Sequence, residues 1–208
     1  MSFSTAAAFG SEVSAPKLVR YNFALVPVDG GPEFIALSQE RCAAYSPEYI
    51  LNGTDSLAHL SVCQIETDRP LSELQAILRQ VLEKGDMTAT TTFEAVVKVK
   101  PGFGDFEHVN WIEVVPDAES AGPLHLIHAH VREAVLAAGF SCKNKNGAEY
   151  QPHATLGNAA KATSVDRDVP LPEKITANFK LVLGIADAKW QFNKVLPLGI
   201  ETAPALSL

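Results

Sequence analysis

The sequence predicts an α+β fold, because strand-like and helix-like segments follow one another in an irregular order. Short apolar runs bounded by proline and glycine are typical of strands, and three segments with apolar residues three or four positions apart are typical of helices. Several strands follow each other directly along the chain, which favours antiparallel pairing. We therefore expect two small, largely antiparallel sheets that flank a central groove, with the helices outside.

The first half of the chain contains two strands and two helices. In chain order we predict a strand at 18–27, a helix at 32–45, a strand at 59–65 and a helix at 71–84. Pro27 and the glycines after it end the first strand, and Pro32 suits the first turn of a helix. The second helix has leucine, isoleucine and valine on one face, and Gly85 lies where a C-terminal cap is expected.

The second half contains five strands and one helix. We predict strands at 91–100, 109–115, 150–157, 175–186 and 190–196, and a helix at 123–138. Proline ends the first two of these strands, and Gly139 ends the helix. The strands at 59–65 and 150–157 each have a helix nearby in the chain, which indicates two related halves.

Composition limits the classes of partner. The chain has 208 residues, 47% of them apolar and 20% charged, with a formal net charge of −7, which is typical of a globular protein. An acidic surface disfavours an extended nucleic-acid tract, whose binding depends on Lys and Arg at phosphates. A small anionic ligand or an RNA end remains compatible with a local pocket.

The spacing of the cysteines and the lengths of the apolar runs indicate the kind of compartment in which the protein works. The three cysteines lack the spacing of a disulfide framework or a zinc-thiolate site. No apolar run has the length of a membrane span, and the first residues lack a signal peptide. We predict a loosely ordered lead-in at 1–17, one domain of two pseudo-symmetric lobes at 18–208, a cytoplasmic location, no membrane association and a monomeric state.

Two short segments carry the functional prediction. They are His59-Leu60-Ser61-Val62 and His153-Ala154-Thr155-Leu156, each a histidine, an apolar residue, a hydroxyl residue and another apolar residue. In a strand, residues two apart project from the same face. Each segment would therefore direct its histidine and hydroxyl one way and its apolar residues into the core. Two such strands side by side would place two imidazoles and two hydroxyls in one groove.

A structural role has to be weighed against this interpretation. A hydroxyl residue two positions after a histidine is common by chance, and a lone histidine in a strand is more often structural than catalytic. The doubling of the pattern, with apolar alternation in both copies, reverses that preference. We therefore favour paired acid/base chemistry on a phosphate ester.

The chain resembles the two-histidine phosphoesterase superfamily, in particular its 2′-5′ RNA ligase and cyclic phosphodiesterase branch. Pro152-His153-Ala154-Thr155-Leu156 resembles the second motif of that branch. The segment at 102–106, followed by the tryptophan-bearing strand at 109–114, resembles its glycine-phenylalanine turn and the strand after it. The likeness implies a bilobal fold with one motif from each half, and metal-independent hydrolysis or transfer at a 2′,3′-cyclic phosphate or a 2′-5′ linkage. The branch often has a basic residue after the second motif, where this chain has Gly157-Asn158-Ala159, which favours small substrates.

These considerations assign roles to six residues. His59 and His153 would act as general acid and base, in an order that the sequence leaves open. Ser61 and Thr155 would donate hydrogen bonds to phosphate oxygens. Tyr150 would stack on a base or ribose, or else pack in the core, and His108 would touch phosphate or lie in a surface turn. Lys98 and Lys100 share a strand face that suits an anionic ligand or solvent equally well.

The leading prediction is thus a hydrolase of a cyclic or 2′-5′-linked nucleotide or RNA end, an enzyme of RNA processing without metal or cofactor. Two alternatives stay open. One is a 2′-5′ RNA ligase-type transferase, and the other is a catalytically idle module that binds a nucleotide or a protein. A metal site at His125, His128 and His130 is disfavoured, because His130 projects away from the other two on a helix.

Overall fold

The structure, a computed structural model, describes residues 18–166, 169–171 and 174–198. The lead-in predicted at 1–17 lies outside these residues. Within them, eight strands and three α-helices follow in the order β1-α1-β2-α2-β3-β4-α3-β5-β6-β7-β8. Their bounds are β1 Val19–Pro27, α1 Pro32–Cys42, β2 Leu60–Thr67, α2 Leu71–Glu83, β3 Thr88–Pro101, β4 Val109–Pro116, α3 Ala118–Ala137, β5 Ala154–Ala160, β6 Val169–Pro170, β7 Thr176–Ala186 and β8 Phe192–Val195.

The strands form one sheet in which every pairing is antiparallel, in the order β6-β3-β4-β5-β2-β1-β7-β8. The predicted α+β class with antiparallel strands is therefore confirmed. The two expected sheets are the halves β7-β1-β2 and β3-β4-β5 of this larger sheet. They are continuous because Leu60 of β2 pairs with Ala154 of β5, and because the first residues of β3 pair with β7.

The halves are interlocked rather than merely adjacent. Helix α1 precedes the first histidine motif but packs against β5 of the other half, and α3 precedes the second motif but packs against β2. The loops after these helices also cross over. The N–H of Lys143 donates to the carbonyl of Gln64 on β2 at 2.8 Å, and the N–H of Asn158 on β5 donates to the carbonyl of Tyr49 at 3.1 Å. Each motif strand is thus flanked by a loop from the opposite half.

The apolar core follows the predicted periodicities. The inward face of α2 is buried through Leu74, Ile77, Leu78 and Val81, as predicted. Helix α3 begins five residues before the predicted position, because Asp117 caps it by accepting a hydrogen bond from the N–H of Ser120 at 2.9 Å. Pro123 therefore lies inside the helix rather than at its start. The two-residue strand β6 has no counterpart in the predicted order.

Candidate active site

Both histidines lie one position before their strands, since β2 begins at Leu60 and β5 at Ala154. The predicted strands begin at 59 and 150, so the first starts one residue later and the second four residues later than predicted. The alternation predicted from the sequence is nevertheless present. Leu60, Val62, Ala154 and Leu156 are buried to at least 99%, whereas Ser61 and Thr155 are half-buried on the other face.

The register between the two motif strands brings their polar side chains together. Leu60 and Ala154 are antiparallel partners, so continuing the ladder by one residue on each side sets His59 opposite Thr155 and Ser61 opposite His153. Because the central pair points into the core, all four flanking side chains project from the opposite face. The two histidines are then diagonal neighbours, and such positions are about 7–8 Å apart in a ladder.

Both imidazoles are held in the same way. The Nδ1 atom of His59 lies 2.9 Å from the carbonyl oxygen of Leu57, and the Nδ1 atom of His153 lies 2.8 Å from that of Gln151. A carbonyl can only accept, so each Nδ1 carries the proton and donates it two residues back along the chain. The Nε2 atom of each ring is thereby the one left to exchange protons.

The surroundings of His59 are apolar. The residue is 8% exposed, and its ring lies against that of Phe192 with 4.9 Å between centroids. Burial lowers the pKa of His59 to about 4, with the neighbouring His153 acting in the same direction and the hydrogen bond to Leu57 opposing it. His59 is therefore neutral at pH 7, with an unprotonated Nε2.

The Phe192 ring packs against the sheet, where small and apolar residues leave room for it. It forms a small apolar cluster with Ala24, Val26 and Val182, separate from the main core. A side-chain carbon at position 184 of β7 would overlap the Phe192 ring, so glycine is needed there for the ring to lie flat against the sheet. Strand β8 thus folds an aromatic ring over the sheet face that carries Ser61, next to His59.

The surroundings of His153 are polar. Its side chain is 36% exposed, and its Nε2 atom lies 3.6 Å from Oε1 of Glu113 on β4. The Glu113 side chain is only 6% exposed, and its other oxygen lies 3.0 Å from Nζ of Lys100 on β3. The carboxylate is placed to balance the charge of a protonated His153, while Lys100 offsets the cost of burying that carboxylate.

The hydroxyl of Ser61 is oriented by its neighbours. Its Oγ accepts hydrogen bonds from Nδ2 of the buried Asn22 at 2.8 Å and from Nε2 of Gln64 at 3.5 Å. With both donors directed at the oxygen, the hydroxyl proton is left to be donated elsewhere. Thr155 lies beside Glu113 in the β4–β5 register, on the polar side of the site.

Tyr150 packs at the back of the site. It is 4% exposed, its ring stacks on His128 with 3.8 Å between centroids, and its hydroxyl donates to the carbonyl of Ser61 at 2.9 Å. This environment matches the packing alternative for Tyr150 and leaves its ring little surface for a base or ribose. The residue supports β2 directly behind the first motif.

His108 belongs to a surface group of charges. Its Nε2 atom lies 3.3 Å from Glu48, which also pairs with Lys189 at 3.1 Å, and the His108 side chain is 56% exposed. The structure therefore places it in a surface turn paired with a carboxylate, and a contact between His108 and phosphate stays a prediction.

The helical histidines have structural roles where the structure defines them. His128 is buried, and its Nδ1 atom lies 2.7 Å from the carbonyl of Val62, whereas His130 is exposed. No group of three or more His, Cys, Asp or Glu within the described ranges could hold a metal ion. None of the helices described is long and apolar enough to cross a membrane.

Cations on the face of the candidate site are paired with carboxylates. Arg20 lies 3.0 Å from Glu66, Lys98 lies 3.2 Å from Glu94, and Lys100 pairs with Glu113 as described. Lys98 and Lys100 are opposite Glu113 and Trp111 in the β3–β4 register, so both lie on the face shared with Thr155. These pairs leave little positive charge for a long phosphate backbone.

The sequence does not single out Glu113, Phe192 or Asn22. For Glu113 a signal exists, because it is a charged residue among apolar neighbours in a strand, and such a residue is expected to have a partner. The other two require tertiary information. Asn22 reaches Ser61 through the β1–β2 pairing, and Phe192 reaches His59 from a strand near the other end of the chain.

Comparison with known proteins agrees with the predicted family. A family model described as the 2′-5′ RNA ligase superfamily matches residues 56–181, which include both motifs. No curated protein matches the sequence.

Solved structures share the fold at low sequence identity. The E. coli protein LigT complexed with 3′-AMP is 15% identical, with a TM-score of 0.57 over 88% of this chain and 97% of that one. A protein described as a phosphoesterase has the same TM-score, identity and coverage. LigT complexed with ATP is 13% identical, with a TM-score of 0.55 over 88% of this chain and 96% of that one. Since the family match spans more than half of the sequence, this chain belongs to the 2′-5′ RNA ligase superfamily of two-histidine phosphoesterases.

Proposed function

We propose that this protein is a metal-independent phosphodiesterase that hydrolyses a 2′,3′-cyclic phosphate or a 2′-5′-linked nucleotide. One observation carries the proposal. Two histidine motifs meet at a single ladder pair, and both rings have Nδ1 occupied by a carbonyl. Two imidazoles with available Nε2 atoms, on diagonal positions of one face, are what a phosphodiester reaction needs for two proton transfers.

The difference between the two surroundings supports an assignment of roles. His59 is neutral at pH 7 because burial lowers its pKa to about 4, so it is suited to act as the general base. His153 lies beside the Glu113 carboxylate, so it is suited to carry a proton and act as the general acid. The sequence leaves open which histidine is the base and which is the acid, and this proposal assigns His59 as the base and His153 as the acid.

In the hydrolytic step, a water oxygen attacks phosphorus while Nε2 of His59 takes one of its protons. The bond from phosphorus to a ribose oxygen breaks, and that oxygen receives the proton from Nε2 of His153. Ser61, oriented by Asn22, and Thr155 donate hydrogen bonds to the non-bridging oxygens as negative charge accumulates on them. Transfer of the proton from His59 to His153 through solvent restores the starting state.

A small nucleotide is the substrate class we favour. The cations on the site face are paired with carboxylates, and the chain carries a net charge of −7, so little counterion release is available for an RNA strand. The structural neighbour LigT has been solved with 3′-AMP and with ATP, which are ligands of that size.

A transferase is the second candidate, favoured by the family match to the 2′-5′ RNA ligase superfamily. A ribose hydroxyl would replace water as the nucleophile, and the same two histidines would serve. With an RNA end supplied in excess, joined product would exceed hydrolysed product if transfer is the main reaction.

The test is turnover of nucleoside 2′,3′-cyclic phosphates and 2′-5′ dinucleotides in the presence of EDTA. We expect His59→Ala and His153→Ala each to lower kcat/KM by about 100- to 10,000-fold, the usual contribution of a general acid or base. The matched control is His130→Ala, which removes an exposed histidine of α3 and should leave turnover unchanged.

The product identifies which ester oxygen leaves. Activity that disappears with EDTA would contradict the proposed chemistry, as would full activity in either histidine variant. Tight nucleotide binding by wild type without turnover would support an idle binding module instead.

A further inference from the structure

Two free thiols meet beside the first motif. Cys63 lies in β2, two positions after Ser61, and Cys142 lies in the loop between α3 and β5. The segments that carry them are directly bonded. The N–H of Lys143 donates to the carbonyl of Gln64 at 2.8 Å, and the N–H of Gln64 donates to Oδ1 of Asn144 at 2.7 Å. Cys63 belongs to the main core cluster, and Cys142 packs against that same cluster.

The two thiols differ in exposure and acidity. Cys142 is half-buried, and the hydrogen bond from Cys63 holds the pKa of its thiol below the ordinary value. The backbone N–H of Asn144 and the guanidinium of Arg132 act in the same direction, whereas partial burial opposes them. Cys63 is fully buried, and burial raises the pKa of its thiol.

Cys42 provides an internal contrast. It is fully buried against Gly157 of β5, and burial raises the pKa of its thiol to about 12. An oxidant in solution reaches a partly exposed sulfur but not one enclosed in the core, and it reacts with the thiolate form. Of the three cysteines, Cys142 therefore combines partial exposure, a lowered thiol pKa and a second cysteine on the segment bonded to its own.

We propose that Cys142 and Cys63 form an oxidation site, in which Cys142 reacts with a hydroperoxide and Cys63 closes a disulfide. In the first step the Cys142 thiolate attacks a peroxide oxygen, the O–O bond breaks, and a sulfenic acid and an alkoxide or hydroxide form. In the second step the Cys63 sulfur attacks the sulfenic sulfur, the S–O bond breaks, and the Cys63 proton passes to the departing hydroxyl, which leaves as water. Two electrons pass from the thiols to one peroxide.

The backbone arrangement suits the bond. Each cysteine directly precedes one partner of the hydrogen bond between Lys143 and Gln64, and a disulfide requires Cα atoms about 4.4–6.8 Å apart. The new bond would anchor the loop that leads to Tyr150 and His153 onto the strand that carries Ser61. This proposal does not depend on the proposed enzymatic function.

The experiment treats the full-length protein with hydrogen peroxide and maps the cysteines by mass spectrometry under non-reducing conditions. We expect a peptide pair joined through Cys63 and Cys142, with loss of two hydrogen atoms and complete reversal by dithiothreitol. In Cys63→Ser, the sulfenic acid of Cys142 should persist long enough to be labelled by dimedone. In Cys142→Ser no intramolecular disulfide should form, and Cys42 should stay reduced in all three proteins.

Circular dichroism of each variant before oxidation establishes that it is folded. Labelling of Cys42 as rapidly as Cys142 in folded protein would overturn the proposal. So would a wild-type protein in which only intermolecular disulfides form, or in which Cys142 stays reduced at peroxide concentrations that oxidise an exposed model thiol.

Discussion

The two histidines occupy equivalent positions in the ladder but opposite environments. His59 lies against Phe192 in an apolar cluster, whereas His153 lies half-exposed beside Glu113 and Lys100. Their shared features are the pairing register and the Nδ1 bond to the carbonyl two residues back. The backbone thus supplies two similar imidazoles, while neighbouring strands give them different surroundings, Phe192 of β8 beside His59 and Glu113 of β4 beside His153.

The largest effect should come from removing the ring beside His59. Phe192 is fully buried, so Phe192→Ala should lower the free energy of unfolding by about 3–5 kcal/mol, measured by urea denaturation. The substitution should also expose the His59 ring to water, so that the surroundings of His59 become more like the polar surroundings of His153. Phe192→Leu is the control, expected to cost less than about 1.5 kcal/mol because most of the volume is retained. Equal stability of wild type and the alanine variant would mean that the cluster around Phe192 contributes nothing to the free energy of unfolding.

The second prediction concerns pH. The pKa of His59 is about 4 in the folded protein and 6.5 as its ordinary value, so between these values the unfolded chain binds a proton that the folded one does not. The free energy of unfolding should therefore fall as pH drops from about 6.5 to about 4, by about 3 kcal/mol from this residue.

The measurement is urea denaturation at a series of pH values, comparing wild type with His59→Gln. His128, whose pKa burial also lowers, contributes a slope of the same sign in both proteins. The His59 variant should show a shallower dependence on pH than wild type. An unchanged dependence in the His59 variant would show that burial beside Phe192 does not lower the pKa of this histidine.

The smallest effect should come from changing Glu113, the carboxylate beside His153. Glu113→Gln removes the carboxylate beside His153 and leaves Lys100 unpaired. We expect kcat to fall about tenfold, or about 1.4 kcal/mol, while KM falls because Lys100 becomes available to phosphate. Glu94→Gln, which removes the carboxylate beside Lys98, is the matched control and should not lower kcat. A parallel fall in kcat for both variants would indicate a general charge effect rather than one at His153.

The sequence predicts elements well where local chemistry determines them. Helix α2 begins at the predicted residue because leucine and isoleucine define one face, and β1 ends at Pro27 as predicted. The predicted start of α3, at residue 123, is too late, because Asp117 caps the helix five residues earlier than predicted. Strand β6 consists of two residues that pair with β3, too few to produce a periodic pattern.

For the site, the sequence places both motifs on one face but cannot order their roles. The alternation around His59 and His153 is local and therefore visible in one sequence. The pairing of Glu113 with His153 depends on the register of β4 and β5, and the contact of Phe192 with His59 depends on β8 folding back over the sheet. Long-range pairings of this kind leave no periodic signal in the chain.

The antiparallel pairing of Leu60 with Ala154 limits how the spacing of such a site can vary. Because each imidazole faces a hydroxyl from the other strand, the span between the rings is a repeat distance of the main chain and not a product of side-chain packing. Slippage of either strand by one residue would turn its histidine and its hydroxyl inward together, so intermediate spacings are inaccessible. Variation in ligand preference is thereby confined to the loops and the sheet face around the site, while the span itself is inherited as a fixed unit.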